Sequence, residues 1–152
     1  MKKILVVFAV ISTFLMLSCR NTSATQESVE NVPYETVQGY FVKNDANLST
    51  LKNGKIITEA EFSAIFGPAA VMGANDMPTS VDFSKQYIIS VVGNETDSAV
   101  TIVPVSLEKK GTHLTFTYEY KVGEKQSYTI RPALIIAVDS QYVGDLELKK
   151  LP

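Results

Sequence analysis

The chain has 152 residues, with 14 Lys or Arg against 16 Asp or Glu, a formal net charge of -2, one His and one Cys. That slightly acidic balance argues against binding a phosphate backbone, so nucleic acid is not an expected partner. A single cysteine excludes an intrachain disulfide, and one His with one Cys cannot build a usual zinc site, so the fold must be held by packing alone.

Met1 to Ser18 opens with Lys2 and Lys3, runs apolar from Ile4 to Val10 and on to Leu17, and ends at Met16-Leu17-Ser18-Cys19. A short positive region, an apolar stretch of about 14 residues and a small residue before the cut read as a secretory signal, too short to span a bilayer. Residues 1–18 are therefore expected to be removed and Cys19 to be lipidated on its thiol and freed amine. Leu17 and Ser18 fit a lipobox, while Met16 stands where leucine is commoner. This looser form resembles the lipoprotein signals of Bacteroidetes and implies a cell-envelope protein. One acyl chain binds marginally at about 0.8 kcal/mol per methylene, so the several chains of a mature lipoprotein make a firm membrane anchor.

Residues 19–33 are rich in Ser, Thr, Asn, Gln and Glu, the composition of a flexible tether. Asn21 to Ser28 lacks the dense acidic cluster that resembles a surface-export signal, which favours a periplasm-facing position on the outer membrane. Residues 34–152 are then one domain, since the roughly 130 residues after Cys19 support a single core. Tyr34 to Val42 reads as a first strand, broken at Lys43-Asn44-Asp45-Ala46-Asn47. Thr58-Glu59-Ala60-Glu61 is a capping box, with Ile57 placed to staple onto Phe62. Phe62, Ile65 and Phe66 follow at i, i+3 and i+4, so a short amphipathic helix over about 59–66 is expected to lie as a lid on a sheet until Gly67-Pro68 stops it.

After a loop from Pro68 to Ser80 the pattern is strand throughout. Tyr87 to Val92 reads as a strand buried on both faces, and Ser98 to Leu107 as a second in which Pro104 marks an edge, a bulge or an early end to pairing. Lys109-Lys110-Gly111 supplies a hairpin turn. Leu114, Phe116, Tyr118 and Tyr120 alternate with polar residues, and His113 shares the outward face. Gly123-Glu124-Lys125 reads as the next turn, Tyr128 to Val138 as a strand interrupted at Pro132, and Tyr142 to Leu148 as the last. Short connections suit an antiparallel meander, giving a mainly β fold: a single antiparallel β-barrel or sandwich with one capping helix.

The side-chain inventory argues against turnover. A nucleophilic triad needs a base beside its nucleophile, and His113 on a solvated strand face has only Thr112 and Thr115 near it in sequence. No glycine-rich phosphate loop occurs, so no cofactor is implied. The Asp and Glu residues fall mostly in turns, the helix cap and exposed strand positions. The chain is therefore expected not to be an enzyme. Asp97-Ser98-Ala99 resembles the acceptor for O-glycosylation in Bacteroidetes, which marks Ser98 as a modification candidate.

Asp82 to Gly93, then a hairpin, then Tyr128 to Val138 with its Arg131-Pro132-Ala133-Leu134 step, resembles small protease-associated β domains: the C-terminal domain of a protease-complex subunit, and the staphostatin-like inhibitors of streptopain-type cysteine proteases. That resemblance covers about the last 70 residues and implies a rigid sheet offering a glycine-containing loop to a cysteine protease. Gly93, Asn94, Glu95, Thr96 and Asp97 are the first such loop, and Gly67 to Met77 the second. Two other readings stay open: an interaction lipoprotein that docks onto an envelope protein through a sheet edge near Pro104 or Pro132, and a barrel that holds a small apolar ligand between Phe116, Tyr118, Tyr120 and Tyr128.

Overall fold

One long hairpin, folded back over itself, organises the molecule. In the computed structural model, which describes residues 27–69 and 77–152, the strands are β1 (Val29–Asn31), β2 (Tyr34–Thr36), β3 (Tyr40–Val42), β4 (Lys55–Ile56), β5 (Phe66–Pro68), β6 (Gln86–Val92), β7 (Thr96–Lys110), β8 (His113–Ile130), β9 (Ala133–Asp139) and β10 (Asp145–Lys150), with helix α1 at Glu59–Ile65. β6 pairs with β9 from Gln86↔Asp139 to Val92↔Ala133. The ladder resumes between β7 and β8 at Thr96↔Ile130 and runs to Lys110↔His113. The tip is Gly111-Thr112, where Gly111 takes φ +58, a left-handed conformation that glycine adopts without a Cβ clash.

The fold-back divides this hairpin between two sheets, ordered β1-β7-β8-β10 and β2-β9-β6-β4, with β3 and β5 as a separate pair. Between the two four-stranded sheets lies a core of Tyr87, Ile89, Val91, Leu134, Ile136 and Val138 from one, against Leu107, Leu114 and Phe116 from the other. The alternate residues Ile88, Ile135 and Ala137 face the opposite way and meet Phe62 and Ile65 of α1, with Val42, Ile56 and Phe66. β6 and β9 are thus buried on both faces, which explains their unbroken apolar runs. Each large side chain so buried contributes about 1.5–3 kcal/mol. Among the described residues the fold is mainly β, a sandwich of two sheets that do not close into a barrel, with one short α-helix as a lid.

The helix follows its local code. Thr58 accepts from the Glu61 amide at 3.2 Å, and the Glu61 carboxylate reaches back to accept from the Ile57 amide at 3.1 Å. The staple does not accompany it: Ile57 is 58% exposed, and Phe62 packs instead on the rings of Tyr40, Phe66 and Phe83. Tyr87, deep in the first core, donates to the Tyr142 carbonyl at 2.8 Å, and burial pushes its phenol up to about 12.

Several boundaries differ from expectation. Structure begins before Tyr34, because β1 pairs with β7 and Val32 is buried in the core, so part of the expected tether belongs to the sandwich. The expected strand from Tyr34 to Val42 is split at Gly39, whose φ of +79 turns the chain from one sheet to another. Gly123-Glu124-Lys125 is not a turn but lies inside β8. From Val100↔Val122 to Ser98↔Lys125, two steps on β7 match three on β8, so the glycine falls at a bulge. The chain changes sheet instead at Arg131-Pro132. The meander is also not wholly antiparallel: β10 lies parallel to β8, from Asp145↔His113 to Lys150↔Tyr118. Parallel neighbours need a long crossover, and residues 131–144 supply it by way of β9 in the opposite sheet.

Candidate contact site

Gly93, Asn94 and Glu95 join β6 to β7, while Thr96 and Asp97 already belong to β7, so the expected five-residue loop is a three-residue connector at the fold-back. Gly93 donates its amide to the Pro132 carbonyl at 2.8 Å. A Cβ there would come within 2.8 Å of both Pro132 Cγ and Tyr120 Oη, so glycine serves close packing at the bend. Arg131 Nη2 bridges Glu95 at 3.4 Å across the fold-back and Lys125 Nζ bridges Asp97 at 3.1 Å between β8 and β7, two surface ion pairs that flank the connector. Beside it opens a polar cleft of about 380 Å³, lined by Val42, Lys43, Asn44, Glu95, Thr129, Ile130 and Arg131. Lys43 is engaged there, donating to the Ser63 carbonyl.

Ser98 is a half-buried strand residue next to a register shift, not a loop end. Its amide donates to Thr96 Oγ1 at 3.1 Å, and its hydroxyl lies 3.5 Å from Asp97 Oδ1. In the second expected loop Gly67 sits in β5 against the Phe41 ring and Met77 is exposed, while residues 70–76 lie outside the described residues. Cys19 lies outside them as well. His113 is exposed at the hairpin tip. The four aromatics expected to line an interior are dispersed: Phe116 fills the core, Tyr118 packs beside it, Tyr120 lies under Lys150 Nζ at 4.6 Å, and Tyr128 is exposed. Among the described residues no three His, Cys, Asp or Glu side chains are grouped to hold a metal ion, and no helix is long and apolar enough to cross a membrane.

The feature sequence reasoning located only in part is the outer edge of β7. β1 covers it at Glu108 to Lys110, and Val32 donates to Leu107 O; from Thr96 to Ser106, among the described residues, no strand lies on that side. Five consecutive pairs with β8, from Val100↔Val122 to Pro104↔Tyr118, hold this stretch in regular strand conformation. Between Pro104↔Tyr118 and Ser106↔Thr117 the extra residue is on β7, so Val105 is bulged outward and 46% exposed, the outcome Pro104 implied. The matching open stretch of β8 carries Glu119, Lys121, Glu124 and Lys125, charges of the kind that keep an edge from pairing. β7 has no charged residue from Ser98 to Leu107. That uncharged run was the available sequence signal, but which side of the strand stays open depends on the sheet order.

No family model, curated protein or solved structure matches the chain.

Proposed function

We propose that this chain is a membrane-anchored lipoprotein, tethered through Cys19, that acts without catalysis by adding an extended strand of a partner protein to the open edge of β7. The observation that carries the reading is the uncharged, β-branched edge from Val100 to Val103, held regular by β8 while its other side is unpaired among the described residues. Strand addition needs only main-chain donors and acceptors on a rigid edge, with alternate side chains selecting the partner. The signal at residues 1–18 supports placement in the cell envelope, lipid-anchored and facing the periplasm, where the partner is an envelope protein. Because Thr101 and Val105 are exposed, replacing both by lysine leaves the fold nearly unchanged, within about 0.5 kcal/mol per site. It is expected to lower capture of the partner from native membranes about tenfold. Equal capture by wild type and the Thr101→Lys, Val105→Lys protein would sink the reading.

The narrower reading, an inhibitor of a cysteine protease, is favoured by the rigidity of the Gly93–Glu95 connector. Its Pro132 hydrogen bond and flanking ion pairs lower the ordering cost of presenting it. The same purified protein, assayed against papain-like and streptopain-like proteases, separates the two: inhibition that survives the lysine substitutions assigns the contact to the connector, and none at micromolar protein discards the inhibitor.

A further inference from the structure

We propose that the fold stands with its hairpin tip toward the lipid surface and its Gly93–Asp97 bend away from it, an orientation that rests on the lipidation of Cys19. β1 runs antiparallel to β7 with Val29 opposite Lys110, so the described chain enters the fold at the tip. Cys19 and Val29 are 10 positions apart, which limits the tip to about 36 Å from the anchoring residue even with the tether fully drawn out.

The base of the β6–β9 ladder lies at the same pole. Asp145 donates to Thr112 O at 2.8 Å and Ser140 to Lys85 O at 2.8 Å, which ties the turn after β9 to the tip and to the start of β6. The bend leaves from the other end of β6, a strand of 7 residues and about 20 Å from Gln86 to Val92. The pole nearest the tether mixes Lys109, Lys110 and His113 with Glu27, Glu30 and Asp145, so no strong basic field draws it to lipid. What distinguishes the two poles is the point of attachment, since the pole joined to the tether is held nearer the lipid than the far one. It follows that β1 covers the membrane-proximal part of the β7 edge, and that the open part from Ser106 to Thr96 rises toward the aqueous side, where a partner reaches it.

The test uses the full chain, processed and lipidated in its native envelope, purified and reconstituted in vesicles that carry an acceptor dye on a lipid headgroup. Lipidation consumes the single cysteine, so Thr112→Cys at the tip and Ser127→Cys near the bend each give one labelling site, both exposed. Energy transfer from residue 112 is expected to exceed that from residue 127 roughly threefold or more, given the span of β6. A lipidated, vesicle-bound protein with equal or greater transfer from residue 127 overturns the orientation and leaves the anchor standing. A purified protein without lipid mass that fails to float with vesicles overturns the anchor, and the orientation with it.

Discussion

Replacing Phe116 by alanine is expected to lower the unfolding free energy by about 3–5 kcal/mol. Phe116 is fully buried on β8 and reaches across the sandwich to Tyr34 of β2, with ring centroids 6.1 Å apart at 78°, while stacking on Tyr118 within its own sheet at 6.2 Å. It is thus one of the side chains that fastens the folded-back half of the hairpin to the half beneath it. Removing the ring forfeits its transfer free energy and leaves a cavity between two sheets whose backbones are held by their own ladders and cannot collapse into it. A domain of this size has about 5–15 kcal/mol in all, so the urea midpoint should fall steeply with little change in slope. Val122→Ala on the same strand, at a side chain 65% exposed, should change the unfolding free energy by no more than about 0.5 kcal/mol. Similar losses at both positions would mean that the sheets do not pack as described.

Gly54→Ala is expected to cost about 3 kcal/mol, more than its change of one methyl group suggests. Gly54 takes φ +77, where an L-residue costs roughly 1–2 kcal/mol. Its Cβ would also fall on the carbonyl oxygen of Ser90 and within 3.0 Å of Leu148 Cδ1. Ser90 is the buried polar residue of β6, and its hydroxyl donates to the Gly54 carbonyl at 3.3 Å. An alanine therefore pushes β4 off the edge of β6 and strands that hydroxyl as well. Gly123→Ala is the contrast, because its Cβ would meet nothing closer than the Ala99 carbonyl oxygen at 3.4 Å. At that bulge the substitution should be neutral, or stabilising by up to about 1 kcal/mol through the unfolded chain. Thermal melts of the two variants side by side give the comparison, and a Gly54→Ala protein as stable as Gly123→Ala would contradict the close approach of β4 to β6.

Elements whose signals are local were legible in the chain. The Thr58 cap, the Phe62, Ile65 and Phe66 spacing, the Gly111 turn and the double-sided apolar strand at Tyr87 to Val92 each appear where their residues placed them. Features decided by distant partners were not. Glycine and charge at 123–125 make either a turn or a bulge, and only the pairing of β8 with Val100 and Ser98 selects the bulge. The parallel β8–β10 pair was hidden because its crossover runs through the opposite sheet, as a strand and not as the helix that such connections usually carry. Val29 to Asn31 is polar enough to resemble a tether, yet three residues suffice to cover the end of β7 once Val32 is buried behind them. The contact site was half visible for the same reason: Pro104 marked β7 for an irregularity, whereas the absence, among the described residues, of a strand beside Thr96 to Ser106 is a property of sheet order.

Amide hydrogen exchange along β7, compared between the free protein and its complex with the captured partner, tests the proposed contact most directly. Exchange should slow across Ala99 to Val103, where an added strand takes up the open backbone groups, and stay unchanged at Gly93 to Glu95 and in the β6–β9 ladder. Slowing confined to Gly93 to Glu95, or exchange along β7 that is the same with and without partner, would contradict docking at this edge.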